Sequence, residues 1–265
     1  MSPRIGLICF AFGVAQVSPG EFLVGPVLMR LLGDLGLSSS AARSLLLRMR
    51  RDGWLRSERV GRQAQYRLAP VLDAAQARLE RQLRGNRPLW SGSFNGILYS
   101  IPEDHRAFRD RLRRSAHLLG YVTLRPGLLV ATTDRFEELI PLVPPQPEGS
   151  QVLRMSVTLS AEDSRRIAVE LWDLDDLAVR YRAVLADAQA RITRAEIRPP
   201  PPRRALQDFA AAAFPVYEVG ADDPDLPAEL LPAGWPGQQT GPTLGRALQV
   251  FGPSLRDYLA TILGT

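Results

Sequence analysis

The chain has 265 residues, 45% hydrophobic and 23% charged, a composition that suits two or three globular domains and excludes a disordered polymer. No stretch approaches the roughly 20 uninterrupted apolar residues of a membrane span, so no membrane partner is expected. The net charge of +5 is unevenly spread: residues 1–90 hold 14 Arg against 6 acids (+8), while residues 204–265 hold 3 Arg against 7 (−4). A basic N-terminal end is the footprint of a nucleic-acid-binding module. All 33 basic residues are arginine, so every phosphate contact would fall to a guanidinium, which suits bidentate geometry. The lone Cys9 can form no internal bridge, lies in an apolar run and reads as a buried thiol in a reducing, cytoplasmic setting.

In chain order, residues 5–16 read as a first helix stopped by Ser18-Pro19-Gly20, not as a leader, because SPGEFLVG runs straight into a domain helix. The spacing of Leu23, Val27, Leu28, Leu31 and Leu32 predicts a second helix over 22–35. Gly36-Leu37 turns the chain, and Ser38 N-caps a third helix running to Asp52. Trp54–Ser57 and Gln65–Leu68 read as two strands turned at Gly61, and Pro70 opens a polar connector helix. Residues 92–160 then follow the order strand, helix, strand, strand, helix, strand, a ferredoxin-like βαββαβ arrangement.

Residues 163–196 read as the longest helical region. Ile167, Leu171, Leu174, Ala178, Tyr181, Leu185, Ala188 and Ile192 make a heptad-like stripe, either core of its own domain or a dimer seam. The PPPP run at 199–202 breaks the chain, and a helix over 243–263 closes it. The expected class is therefore α+β. It comprises a winged helix-turn-helix (1–69), a connector helix (70–90), a ferredoxin-like domain (91–160) and a mainly helical C-terminal dimerisation and effector domain (161–265).

With the segment 35–55 placed on a helical wheel, Ala42, Leu45, Leu46 and Met49 fall together as a core face. Ser40, Arg43, Ser44, Leu47 and Arg51 fall opposite, with Arg48 and Arg50 flanking. Arginine can bond guanine O6 and N7 bidentately, hydroxyls reach bases or phosphates, and a helix N-terminus favours phosphate, so this face is expected to read a major groove. Arg48 has a competing role as an i,i+4 partner of Asp52. Arg56, Arg59, Arg62, Gln63 and Gln65 line the following hairpin and are expected on the backbone or in the minor groove.

These residues resemble a family. SSSAARSLLLRMRRDGWL with GRQAQYRL, then SIPEDHRAFRDRLRRSAHLLGY, ELWDLDDLAVRY and DDPDLPAELLPAGWPG, resemble the phenylacetic-acid degradation repressors, the PaaX-like regulators. The resemblance implies a repressor that binds a palindromic double-stranded operator as a homodimer and is relieved by an aromatic acyl-CoA. Two segments depart from it: ICFAFGVAQV lacks a Tyr-Gly-Asp sequence, and AAAAFPVYEVGA lacks the His- and Arg-containing helix of the family. Trp172, Tyr181 and Trp235 are the aromatic candidates for an effector pocket, each with simple core as its alternative.

Two other functions stay open at this level. The βαββαβ domain also resembles the small CRISPR-associated spacer-acquisition nucleases, and that resemblance implies a metal-dependent nuclease holding its metal on an acid at the end of the first strand. Here Glu103 and Asp104 arrive only after Pro102, where they suit a helix start. A ligand-independent DNA-architectural protein is the other. His105 and His117, twelve residues apart on one expected helix over Glu103–Leu119, make neither a metal pair nor a general base, and no Gly-rich phosphate loop follows a strand. No catalytic residue, metal or cofactor is expected.

Overall fold

The computed structural model describes residues 3–263. In chain order the first half runs α1 (Pro3–Val14), β1 (Leu23–Val24), α2 (Gly25–Asp34), α3 (Ser39–Arg51), β2 (Leu55–Val60), β3 (Gln63–Leu68), α4 (Pro70–Leu83) and β4 (Ser93–Ser100). Then come α5 (Arg106–Leu118), β5 (Val122–Arg125), β6 (Leu128–Ala131), α6 (Phe136–Leu139) and β7 (Gln151–Thr158). Four helices dominate the remainder: α7 (Ala161–Leu171), α8 (Leu174–Ile197), α9 (Pro202–Asp222) and α10 (Thr240–Leu263). The chain divides into two compact units, one of Arg87–Leu177 with Pro224–Trp235, the other of the remaining segments.

The larger unit joins both ends of the chain. Ile8, Phe12, Leu28, Leu31, Leu32 and Met49 share one apolar core with Ile192, Phe209 and Phe251. Full burial of each such side chain contributes about 1.5–3 kcal/mol before entropy is counted. Phe10 stacks on Phe209 at 5.8 Å and meets Phe214 edge-on at 5.2 Å. The Tyr258 hydroxyl on α10 donates to Asp34 Oδ2 at the end of α2 (2.7 Å), and burial pushes its pKa up. Cys9 is buried there, and desolvation raises its thiol to about 12, so it stays protonated beside Tyr217.

The predicted helix over 22–35 is corrected at its start. Leu23 and Val24 form a short strand, Leu23 opposite Tyr66, and α2 begins at Gly25. Pro26 sits in the first turn of α2, where its missing N–H costs nothing. Leu23 is buried either way, so apolar spacing alone could not separate the two conformations. The three strands run antiparallel in the order β1-β3-β2.

The smaller unit carries an antiparallel sheet of order β5-β6-β4-β7, the βαββαβ order read from the sequence. One face is covered by α5 and α6: Ile97, Tyr99, Leu129 and Ala131 of the strands pack with Leu112, Ala116 and Leu139. On the other face Phe94 is closed over by Trp90 (4.9 Å) and Trp172 (6.2 Å), while Leu98, Leu153 and Met155 stay 38–52% exposed. His105 lies in a 3-10 turn ahead of α5, not on the helix with His117.

The single helix expected over 163–196 is two. The break falls at Trp172-Asp173, where Asp173 takes φ +46°, a left-handed conformation that Asp tolerates through its short polar side chain. Leu171, Leu174 and Ala178 keep helical spacing across the break, which hid it. As a dimer seam the stripe is also corrected: Leu174, Ala178, Tyr181, Leu185, Ala188 and Ile192 are all buried within a single chain.

Candidate nucleic-acid interface

Three segments of the larger unit come together here: α2, α3 and the β2–β3 hairpin. Gly36, at φ +96°, makes the turn after α2, and the Ser38 hydroxyl accepts from the Ala41 N–H (3.2 Å) to cap α3. Ala42, Leu45, Leu46 and Met49 anchor α3 at 0–4% exposure. That anchoring leaves Ser40, Arg43, Ser44, Leu47, Arg48, Arg50 and Arg51 exposed along the opposite side. The α3 wheel drawn from the sequence is thus reproduced residue by residue.

The hairpin pairs over six residues on each strand, Leu55↔Leu68 through Val60↔Gln63, longer than predicted. Its two-residue loop places Gly61 first, at φ +60°, as a II′ turn requires, and puts Arg62 at the tip. Gln63 is exposed on the returning strand, and Arg59 Nε donates to the Gly61 carbonyl (3.3 Å).

Two open grooves flank α3. One is lined by Arg43, Leu47, Arg50, Arg62, Gln63 and Tyr66 among others, the second by Phe22, Leu47, Arg50, Arg51, Arg56 and Arg67. Both therefore border Leu47 and Arg50, and together they connect helix and hairpin into one continuous surface. Arg67 additionally lies over the Phe22 ring at 5.0 Å. Arg50 and Arg67 are the members that sequence reasoning ranked too low. Helical spacing put Arg50 at the flank of the wheel, and only the folded hairpin brings Arg67 to the groove.

Charge on this surface is largely uncompensated. Between residues 35 and 72 there are eight arginines and two acids, Asp52 and Glu58. Asp52 takes Arg51 (Nε to Oδ1, 3.1 Å) in place of the predicted Arg48. Among the described residues, Arg43, Arg48, Arg50, Arg56 and Arg62 are held in no ion pair. Elsewhere some arginines are matched, as in Arg246 on Glu196 (2.5 and 2.7 Å) or Arg30 on Asp34 (2.7 Å).

The predicted effector aromatics fall in separate surroundings. Trp172 stacks on Phe94 in the smaller unit, where Trp235 is 2% exposed. Tyr181 belongs to the larger unit and donates to Asp223 Oδ2 at 2.9 Å. Glu103 is engaged by Arg109 (2.8 Å), which lowers its pKa, and His117 Nδ1 donates to the Tyr121 carbonyl (2.8 Å). No group of three metal-ligating side chains occurs among the described residues. No helix among them is long and apolar enough to cross a membrane.

Comparison with known proteins covers nearly the whole chain. Residues 12–71 match the family described as PaaX-like protein, residues 87–163 the PaaX protein central Cas2-like domain, and residues 172–260 the PaaX-like protein C-terminal domain. The transcriptional repressor PaaX of Escherichia coli K12 is 26% identical over 233 residues, covering 82% of this chain and 70% of that one. The solved structure of an uncharacterized protein from Mycobacterium tuberculosis superposes with a TM-score of 0.55 at 23% identity, covering 96% of this chain and 99% of that one, a likeness of fold. With three family segments in sequence order across the chain, this protein belongs to the PaaX-like family.

Proposed function

We propose that this protein is a non-enzymatic transcriptional repressor that binds double-stranded DNA through a winged helix-turn-helix at its N-terminus. In this reading α2 and α3 are the helix-turn-helix, α3 is the recognition helix and the β2–β3 hairpin is the wing. The observation that carries it is the exposed face of α3, where Arg43, Arg48 and Arg50 lie unpaired beside Ser40 and Ser44. Several arginines gathered with two hydroxyls on one exposed side of a helix that is apolar behind match a polyanion. The similarity to a repressor supports the same class.

Within that class, Ser40, Arg43, Ser44, Leu47, Arg48 and Arg51 reach bases or the adjoining phosphates, and Arg59, Arg62 and Gln63 follow the backbone from the wing. Arg62 sits at the loop tip without an acid partner. Arg62→Ala is therefore expected to weaken binding to all duplexes alike and to reduce the slope of log affinity against log salt by about 0.9, the value for one phosphate contact. Gel-shift titration at three salt concentrations measures this. An unchanged slope would take Arg62 off the backbone.

The reading includes a homodimer on a palindromic operator, because one recognition helix reads only a few base pairs. With the α8 stripe internal, the open sheet face of the smaller unit is the stronger candidate seam. Leu98 and Leu153 stand opposite each other in the β4–β7 register, Met155 follows beside Gly96, and all three are exposed. Sedimentation at micromolar concentration is expected to give a dimer, and Leu153→Arg a monomer. A wild-type monomer that binds its operator one protein per site would end the dimer reading. Relief of repression by an aromatic acyl-CoA completes the proposal; of the three candidate aromatics Tyr181 and Trp235 are buried, which leaves the half-buried Trp172 of the smaller unit as the candidate contact.

A further inference from the structure

Leu47 is the anomaly of the basic surface. It is 65% exposed, so it contributes little to the core, yet it occupies the centre of the exposed face of α3. Residues three and four apart on a helix are neighbours, so Arg43, Ser44, Arg50 and Arg51 surround it. Both grooves beside α3 meet at its side chain. A leucine ringed by guanidiniums cannot pair with the same face of a second copy, since the two rings would repel. The complementary surface must be polyanionic at its edges and apolar at one central point. The major groove of DNA has that character at a thymine, whose 5-methyl group projects between acceptor edges and the flanking phosphates.

We infer that Leu47 is a specificity-determining residue that packs against the 5-methyl group of a thymine in each operator half-site, within the reach of Arg43 and Arg51. This rests on the DNA-binding reading proposed above. Arg43 and Arg51 stand one turn to either side of Leu47, about 6 Å along the axis in each direction, so guanines flanking the thymine are the bases their guanidiniums would meet. Desolvating one methyl against leucine accounts for roughly fourfold in affinity.

The experiment uses the full-length protein and duplexes it enriches from a random-sequence library. Each thymine of the enriched duplex is replaced in turn by uracil, which keeps every hydrogen-bonding group and lacks only the methyl. Wild type is expected to lose about three- to fivefold at one thymine per half-site. Leu47→Ala is expected to bind thymine and uracil duplexes equally at that position, and Leu47→Met to restore the preference. High exposure of Leu47 keeps the fold out of the comparison, and unchanged melting of both variants checks it. If duplexes are enriched but the thymine-to-uracil ratio is the same in wild type and Leu47→Ala, the inference fails while the DNA reading stands. Enrichment of no duplex overturns both.

Discussion

Replacing Arg43 and Arg51 together by alanine is expected to remove about 2–6 kcal/mol of operator affinity, the sum of two base contacts worth about 1–3 kcal/mol each. The two residues are eight positions apart on α3, about 12 Å along its axis, so their losses should add. Stability should hardly change. Arg43 makes no ion pair among the described residues, and the Arg51–Asp52 pair is exposed on both sides, a class of interaction worth about 0–1 kcal/mol. The discriminating quantity is selectivity. If both guanidiniums read bases, the ratio of operator to unrelated-duplex affinity collapses and the salt slope moves little, the reverse of the result expected for Arg62→Ala. Full operator affinity in the double variant, with its melting unaltered, would remove α3 from the reading role.

Gly241→Ala should produce the largest loss of stability. Gly241 lies in the first turn of α10, and a Cβ there would run into the main-chain carbonyl of Leu83 at the end of α4. A flexible side chain could swing away from such a methyl; a backbone carbonyl can yield only by displacing its helix. The α4–α10 approach would have to open, at a cost of about 3 kcal/mol. For a chain of this size that corresponds to a fall in Tm of about 6–12 °C. Gly245, one turn further along α10, has open space where its Cβ would be. Gly245→Ala is therefore expected to raise stability by up to about 1 kcal/mol through helix propensity. Identical chemistry on one helix, four residues apart, should shift melting in opposite directions. Melting of Gly241→Ala at the wild-type temperature would show that the two helices are not in close contact.

Where local periodicity carries the information, the structure was legible in advance. The core face of α3, its Ser38 cap, the Gly61 turn and the order of elements in the sheet unit all depend on residues within a few positions of one another. The break at Asp173 was not legible, because apolar residues keep their helical spacing through it and no Gly or Pro marks it. α9 was not legible either: it follows a proline run and contains Pro215, normally a cost of about 3 kcal/mol inside a helix. Burial of Ala212, Ala213, Val216 and Val219 in the folded unit outweighs that local cost.

What the sequence alone determined is the chemistry on offer. It put the basic charge in the first 90 residues, a capped amphipathic helix with serine and arginine on its outer side, and an arginine-bearing hairpin after it. Tertiary structure decided which of these groups stand together. Folding of the hairpin brought Arg67 beside Arg50, left Leu47 between two grooves, and gave Asp52 to Arg51. It also joined the last helices to the first in a single core, with Phe251 and Phe209 packed among Ile8, Leu28 and Leu31. Apolar spacing shows that a face will be buried; it carries no label for the face that buries it. That choice is made by shape and volume between segments two hundred residues apart.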